Sequence, residues 1–382
     1  MEHGLITLKA VIAELKLPIH RLKVIHIAGT NGKGTCGFVL NKLLSTTTKT
    51  GWFHSPALYE NHDILVDSKP LDSDYLSSIQ SSLGNRILEL SFFELRVLLA
   101  IAVFCDLAVD YCIIECGMGG KYDATNVFDV KEMAIITKIG LDHQSVLGDT
   151  IQEIAAHKLA ICKGSKYALT TSNQHPSVIA MLDEYNQNFI LCEPATIDSK
   201  SRYQYTWKYK DILLPTKILG DHQSVNIALA IEATIYLSYS KYDYTSLTNS
   251  NWLGRLTYCT IGKYNLLLDG AHNTDSIIML NSYLQKHVTE SIAILFATTG
   301  NKNAEELIDL LMRHRNDTLY LADFEPSLLA PWVTKTPTIN YGRYANEKGN
   351  QLTDLDPSQL ILVCGSLYLI QDVIKRMVIT DY

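Results

Sequence analysis

An α/β protein of mainly parallel sheets is what this sequence predicts, and three observations carry that prediction. Apolar runs of strand length alternate with helical stretches along most of the chain. A glycine-rich turn stands between the first such run and the helix behind it. A polar, turn-forming stretch near residues 246–252, TSLTNSN, then interrupts the alternation, which restarts beyond it and predicts a second, smaller α/β domain.

Taken in order, residues 24–28 read as a buried strand. Residues 35–44 carry Phe38, Val39, Leu40, Leu43 and Leu44 at helical spacing. Apolar runs at 111–115, 134–139 and 167–170 read as further strands, with helical stretches such as 91–106 and 150–162 between them. After the polar stretch, runs at 265–269, 291–297, 318–322 and 360–364 are separated by helices near 275–287, 303–314 and 367–378. Strands that are apolar throughout, rather than alternating, predict a parallel sheet covered on both faces.

Composition narrows the function classes. A length of 382 residues suits two domains, and 47% hydrophobic with 19% charged residues describes a well-cored globular chain. The net charge of -7, with no basic stripe, argues against a nucleic-acid partner and leaves small anionic substrates open. The opening MEHGLITLKAVIAELK resembles neither a signal nor a transit peptide. The most apolar stretch, 95–114, is broken by Arg96, Asp106 and Asp110, so no membrane span is expected. Eight cysteines without a C-x-x-C pair predict buried free thiols in a reducing, cytoplasmic setting. Cys112 and Cys116 flank a strand and read as core residues rather than zinc ligands. A monomer is expected.

The chemistry gathers behind the strands, where open α/β sheets bind ligands. HIAGTNGKGT, residues 26–35, places Gly29, Gly32 and Gly34 with Lys33 and Thr35 at a strand-to-helix turn. Backbone N–H groups and the helix dipole converge there on an anion, phosphate above all. The spacing departs from G-x-x-x-x-G-K-[ST]: Ile27 holds the first glycine's place and the hydroxyl comes one residue late. G-x-G-x-x-G is absent too. Further along, Glu115 precedes GMGGKYDATN, and Asp142 and His143 follow another strand. Lys158 falls four residues after Ile154, on the inward face of its helix, where it either snorkels or needs a partner. Glu115 is the best-placed carboxylate for a divalent cation, whereas an imidazole such as His143 is an unusual magnesium ligand. In the second domain, Asp269, His272 and Asn273 close a strand, and Arg255 stands just past the linker. Arg255 reads either as a surface cation or as a group reaching the phosphates across a closing cleft, and His272 either as a helix-cap neighbour or as part of that site.

The blocks GTNGKGT, ECGMGGKYDATN, GLDHQSVLGDTIQEIAAHK, LGDHQSVNIALAIEA, WLGR, DGAHN and GSLYL, in this order, resemble the folylpolyglutamate synthase and dihydrofolate synthase family of the muramyl-ligase superfamily. The resemblance runs from about residue 3 to about residue 378. It implies an N-terminal ATPase domain with a phosphate loop over 1–248 and a Rossmann-like ligase domain over 253–382. It implies an ATP-dependent ligase that joins L-glutamate to a pterin carboxylate through an acyl phosphate. Carried over by position, Gly29, Thr30, Asn31, Gly32, Lys33, Gly34 and Thr35 would hold the ATP phosphates, and Asn226, Arg255 and Asp269 the rest of the nucleotide. Ser55 and Glu115 would bind one Mg2+ and His143 a second. Lys158 matches the lysine that carries a carbamate in the family, an oxygen ligand made from a cation. Lys33, Lys158 and His143 would be the catalytic groups. His3, Gly4, Leu5, Ser91, Phe92, Phe93, Glu94, Tyr122, Asp123 and Ala124 match acceptor-contacting blocks, and His272 is placed with the substrate.

Members that extend polyglutamate tails commonly carry an E-R-I-R-like stretch after S-P-H-L. Here ENHDILVDSKPL lacks that arginine and is closer to fungal members that make dihydrofolate, so dihydropteroate is the expected acceptor. A polyglutamate synthase, a bifunctional enzyme and a non-catalytic folate or nucleotide binder are the alternatives. A P-loop kinase or GTPase would have a conventional loop and no lysine placed for a carbamate. Four positions depart from the family pattern: Ala57, Leu253, Thr274, and Lys302 without a neighbouring aspartate.

Overall fold

The computed structural model describes residues 2–59, 61–186, 188–237, 242–298, 304–312, 317–322 and 355–379. Lys302 lies outside the described residues. The chain forms two compact units, one of Met1–Asp198, Thr206–Pro215 and Gln223–Thr248, the other of Ser199–Tyr205, Thr216–His222 and Asn249–Tyr382.

The first unit opens with α1 (Glu2–Glu14), β1 (Lys23–Ala28) and α2 (Lys33–Leu44). Next come β2 (Thr50–Phe53), β3 (Ile64–Val66), β4 (Lys69–Pro70), α3 (Ser73–Ser82) and α4 (Phe92–Asp106). β5 (Tyr111–Glu115), β6 (Lys131–Ile136), the short α5 (Gln144–Leu147), α6 (Ile151–Leu159), β7 (Ser165–Thr171), α7 (Pro176–Ile179) and β8 (Phe189–Cys192) follow. The sheet order is β4-β3-β2-β5-β1-β6-β7-β8. From β2 to β8 every neighbour is parallel, while β3 and β4 add an antiparallel edge.

Both sheet faces are covered, as the unbroken apolar strands predict. One core contains Leu8 and Val11 of α1, Ile101 and Phe104 of α4, and Phe53, Cys112 and Ile114 from the strands. The other packs Ile154 and Leu159 of α6 and Val178 of α7 on Ala28, Ala134 and Ile136. A separate three-stranded sheet follows, formed by β9 (Thr196–Lys200), β10 (Tyr205–Tyr209) and β11 (Ile212–Thr216), and then α8 (Gln223–Leu237).

The second unit holds β12 (Thr257–Ile261), β13 (Tyr264–Leu268), α9 (Thr274–His287), β14 (Ala293–Phe296), α10 (Ala304–Met312), β15 (Thr318–Leu321), β16 (Leu360–Cys364) and α11 (Leu367–Ile379). Its sheet has the order β12-β13-β16-β14-β15, parallel except for the β12–β13 pair. The eight cysteines are unpaired and six are buried. No helix among the described residues is long and apolar enough to cross a membrane.

One strand, β6, departs furthest from its expected run. β6 begins earlier and leaves the ladder at Ile136, because the next carbonyls and amides have other partners. Lys138 O accepts from the Thr30 and Asn31 amides, and Gln174 takes Thr137 O and the Ile139 amide. Similarly, α6 ends at Leu159 and its last turn tightens into a 3-10 turn, Ala160–Cys162.

Candidate active site

The glycine-rich turn is built where sterics leave no alternative. Gly29 has φ +148°, and a Cβ there would overlap the Thr137 hydroxyl. Gly32, the N-cap of α2, has φ +95°, and a Cβ there would overlap the side-chain amide of Asn226. Asn226 is itself held by a 2.7 Å bond to Gln223 Oε1 within α8. The Thr30 hydroxyl and Gly140 exchange hydrogen bonds of 2.9 and 3.0 Å, which fixes the turn to the segment after β6. Gly32 supplies no side-chain cap, so the first N–H groups of α2 remain available to a ligand.

Two ammonium groups meet at one carbonyl. Lys33 Nζ donates to Gly29 O at 3.2 Å and to Thr30 O at 3.4 Å, and Lys158 Nζ donates to the same Gly29 O at 2.9 Å. Lys158 is buried, so the snorkelling alternative is set aside. Burial first, and the charge of Lys33 second, pull its pKa down to about 7. Thr150 caps its helix in a reciprocal capping box with Glu153, which sets the register that turns Lys158 inward.

Register places the other groups at the same sheet end. Ile27 lies opposite Glu115, and Phe53 opposite Ile114, so Glu115 ends β5 and Ser55 follows the adjacent parallel β2. The loop bearing Ser55 is fixed from behind. Arg96 forms a two-pronged ion pair with Asp63, with a 2.7 Å bond from Nε, and reaches Asn61 as well. His54, stacked on Trp52, donates its amide to Asp63 O. His143 has φ +53°, at the entry to α5, and its amide takes Asp142 Oδ1 at 2.9 Å.

Among the described residues no group of three His, Cys, Asp or Glu side chains forms a ready metal cage. A magnesium ion carried in with a nucleotide asks for less, one or two protein oxygens plus phosphate and water. Thr35 Oγ1, buried without a hydrogen-bond partner at the start of α2, and the buried carboxylate of Glu115 fit that requirement.

Two of the stretches expected to contact an acceptor lie against each other. A Cβ on Gly4 would overlap the Glu94 carboxylate, so His3, Gly4 and Leu5 at the start of α1 lie against the start of α4. The Phe93 ring covers Gly117 and sits 6.0 Å from the Phe53 ring. Phe92 is partly exposed. Tyr122 meets His157 edge-on at 5.9 Å, and Ala124 is buried beside them in the chain. Three of these residues turn their polar atoms inward. Ser91 and Glu94 form the capping box of α4, and Asp123 accepts from the Met118 and Thr125 amides and the Thr125 hydroxyl.

In the second unit, Asp269 follows β13, and its carboxylate accepts from the Leu256 and Ala271 amides, both at 2.9 Å. Burial raises its pKa, and Arg255 opposes that shift. Arg255 donates to Gly254 O, and a Cβ on Gly270 would press on its guanidinium. His272 Nδ1 stands 2.8 Å from Gly270 O, next to Asn273, the N-cap of α9.

Residues 27–234 match the Mur ligase middle domain, and residues 255–376 match the C-terminal domain of dihydrofolate synthetase. The chain belongs to the dihydrofolate synthetase branch of the Mur ligase family. The dihydrofolate synthetase of Saccharomyces cerevisiae is 30% identical to it, over 98% of both chains. A probable dihydrofolate synthetase of Schizosaccharomyces pombe is 28% identical over the same shares. A folylpolyglutamate synthase of Mycobacterium tuberculosis, solved with ADP and AMPPCP, shares the fold with a TM-score of 0.82 at 22% identity, covering 98% of this chain and 95% of its own.

Sequence reading missed three features of this Mur ligase site: the Arg96–Asp63 clamp, the Gln174 brace and a buried histidine, His26. His26 left a signal, as a polar residue inside an apolar strand run, and so did Arg96, as a charge within the apolar stretch 95–114.

Proposed function

We propose that this chain ligates L-glutamate to dihydropteroate, giving dihydrofolate, ADP and phosphate. The observation that carries the reading is the match of residues 255–376 to the dihydrofolate synthetase C-terminal domain, within a chain aligned end to end with relatives of that name.

An acceptor carboxylate oxygen attacks the γ-phosphorus, the bond to ADP breaks, and an acyl phosphate forms. The glutamate amine then attacks the acyl carbon, loses a proton and expels phosphate. Two anions must be brought together, so positioning and charge neutralisation dominate. Lys33 now rests on two long carbonyl bonds, which it can exchange for phosphate oxygens. The uncapped amides of α2 face the same phosphates. Magnesium, when bound, would draw charge from the phosphates, with Thr35, Ser55 and Glu115 holding one ion and His143 another. Lys158, with its pKa at about 7, is about half deprotonated at neutral pH, and the neutral amine is the form that takes up CO2. Asn226, Arg255 and Asp269 are assigned to the nucleotide, and residues 3–5, 91–94 and 122–124 with His272 to the substrates. The unpaired thiols suit a reducing compartment, which we take to be the cytoplasm.

Phosphate release and dihydrofolate formation from dihydropteroate, glutamate and ATP test this, with tetrahydrofolate as the rival acceptor. Glutamylation of tetrahydrofolate alone would favour the second reading, a folylpolyglutamate synthase. A Bacillus subtilis protein named for both activities, 26% identical over 98% of this chain, gives that reading its support. Nucleotide binding without phosphate release would mark a binder rather than an enzyme.

A further inference from the structure

His26 lies within β1, fully buried, at a position where an apolar side chain is the ordinary choice. Its Nε2 is 2.8 Å from Thr125 Oγ1 and 3.1 Å from Cys116 Sγ. Thr125 donates its hydroxyl proton to Asp123 Oδ1 at 2.5 Å, and Asp123 also accepts from the Met118 and Thr125 amides at 2.8 and 2.9 Å. With that proton committed, Thr125 Oγ1 can only accept from the imidazole, so Nε2 carries the ring hydrogen. Nδ1 is then a bare acceptor, buried and without a partner. An orphaned buried nitrogen is destabilising, so the fold alone gives no reason for an imidazole here.

We propose that His26 is a positioning residue for the acceptor. Through Thr125 and Asp123 it fixes the loop 116–126 against β1, and so sets where Tyr122 and Ala124 stand relative to the phosphate loop three residues further on. The inference rests on the reading above for what that loop touches.

The test compares His26→Leu, which removes the donor, with His26→Gln, which keeps an N–H near the place of Nε2. His26→Leu is expected to raise the KM for dihydropteroate about tenfold, the loss of one buried hydrogen bond, while the KM for ATP stays within about twofold. His26→Gln should restore most of the difference. Amide exchange in the substrate-free protein should quicken over residues 118–125 in His26→Leu, return towards wild type in His26→Gln, and stay unchanged over 29–34. Equal behaviour of the two variants, a parallel rise in both KM values, or unaltered exchange over 118–125 would overturn the proposal. If His26→Leu fails to fold, Thr125→Val cuts the same link and should give the same split. Should the wild type glutamylate no pterin carboxylate, the reaction assignment fails, and the exchange comparison still decides the role of His26.

Discussion

Lys158 Nζ donates to the carbonyl of Gly29 at 2.9 Å, so a buried ammonium ties α6 to the first glycine of the glycine-rich turn. Lys33 competes for the same oxygen. Two cations at one carbonyl, one of them buried, make a site that favours loss of a proton from Lys158.

That preference links stability to pH. The Lys158 pKa is about 7 in the folded protein, against roughly 10.4 for an unfolded lysine. Between these values the unfolded chain binds more protons, so stability should rise with pH across that window and level off below about 7, where both states hold the proton. Urea unfolding in CO2-free buffer at pH 7 and pH 9 should show this rise in the wild type and a flatter response in Lys158→Met. Parallel responses would remove the assigned shift.

Replacing the lysine tests its chemistry. Lys158→Ala should lose turnover by about 10²-fold or more, and short carboxylic acids should return part of it by supplying the missing oxygen ligand. Wild-type turnover in this variant would dismiss the carbamate.

Glu115 separates function from packing. Glu115→Ala should require about tenfold more magnesium and turn over about 10²-fold more slowly, with an unfolding midpoint close to wild type. If its main effect is a large drop in the midpoint instead, the carboxylate is a structural group.

Gly32→Ala should weaken ATP binding by about 10²-fold, measured by calorimetry. The added Cβ meets both a left-handed backbone and the Asn226 amide. Asn226→Ala in the same chain should relieve only the collision, so the pair should couple in a double-mutant cycle. Strict additivity would mean that the contact is not felt.

Much of this architecture is legible in sequence because it rests on local rules. The unbroken apolar strands announce a doubly covered parallel sheet, and the spacing of Lys158 from Ile154 turns it inward. Less legible are the contacts made across long stretches of chain. Nothing near Gly32 in sequence names Asn226 as its neighbour, and nothing near Asp63 names Arg96. Asp123 shows a cue of a different kind. An aspartate two residues before Thr125 commonly folds onto that residue's own amide, as it does here, so its carboxylate helps to shape the loop. The antiparallel strands β3 and β4 are only three and two residues long, too short for periodicity to register.

Those two small strands have a consequence for how the molecule behaves in a crowd. The eight-stranded sheet finishes, at one flank, on Lys69 and Pro70, both exposed. Proline has no N–H to offer and lysine dislikes desolvation, so a stray polypeptide finds no template there on which to add itself. Replacing that pair with valine and threonine would leave a sticky rim, and the first symptom would be turbidity on concentration rather than any change in catalysis.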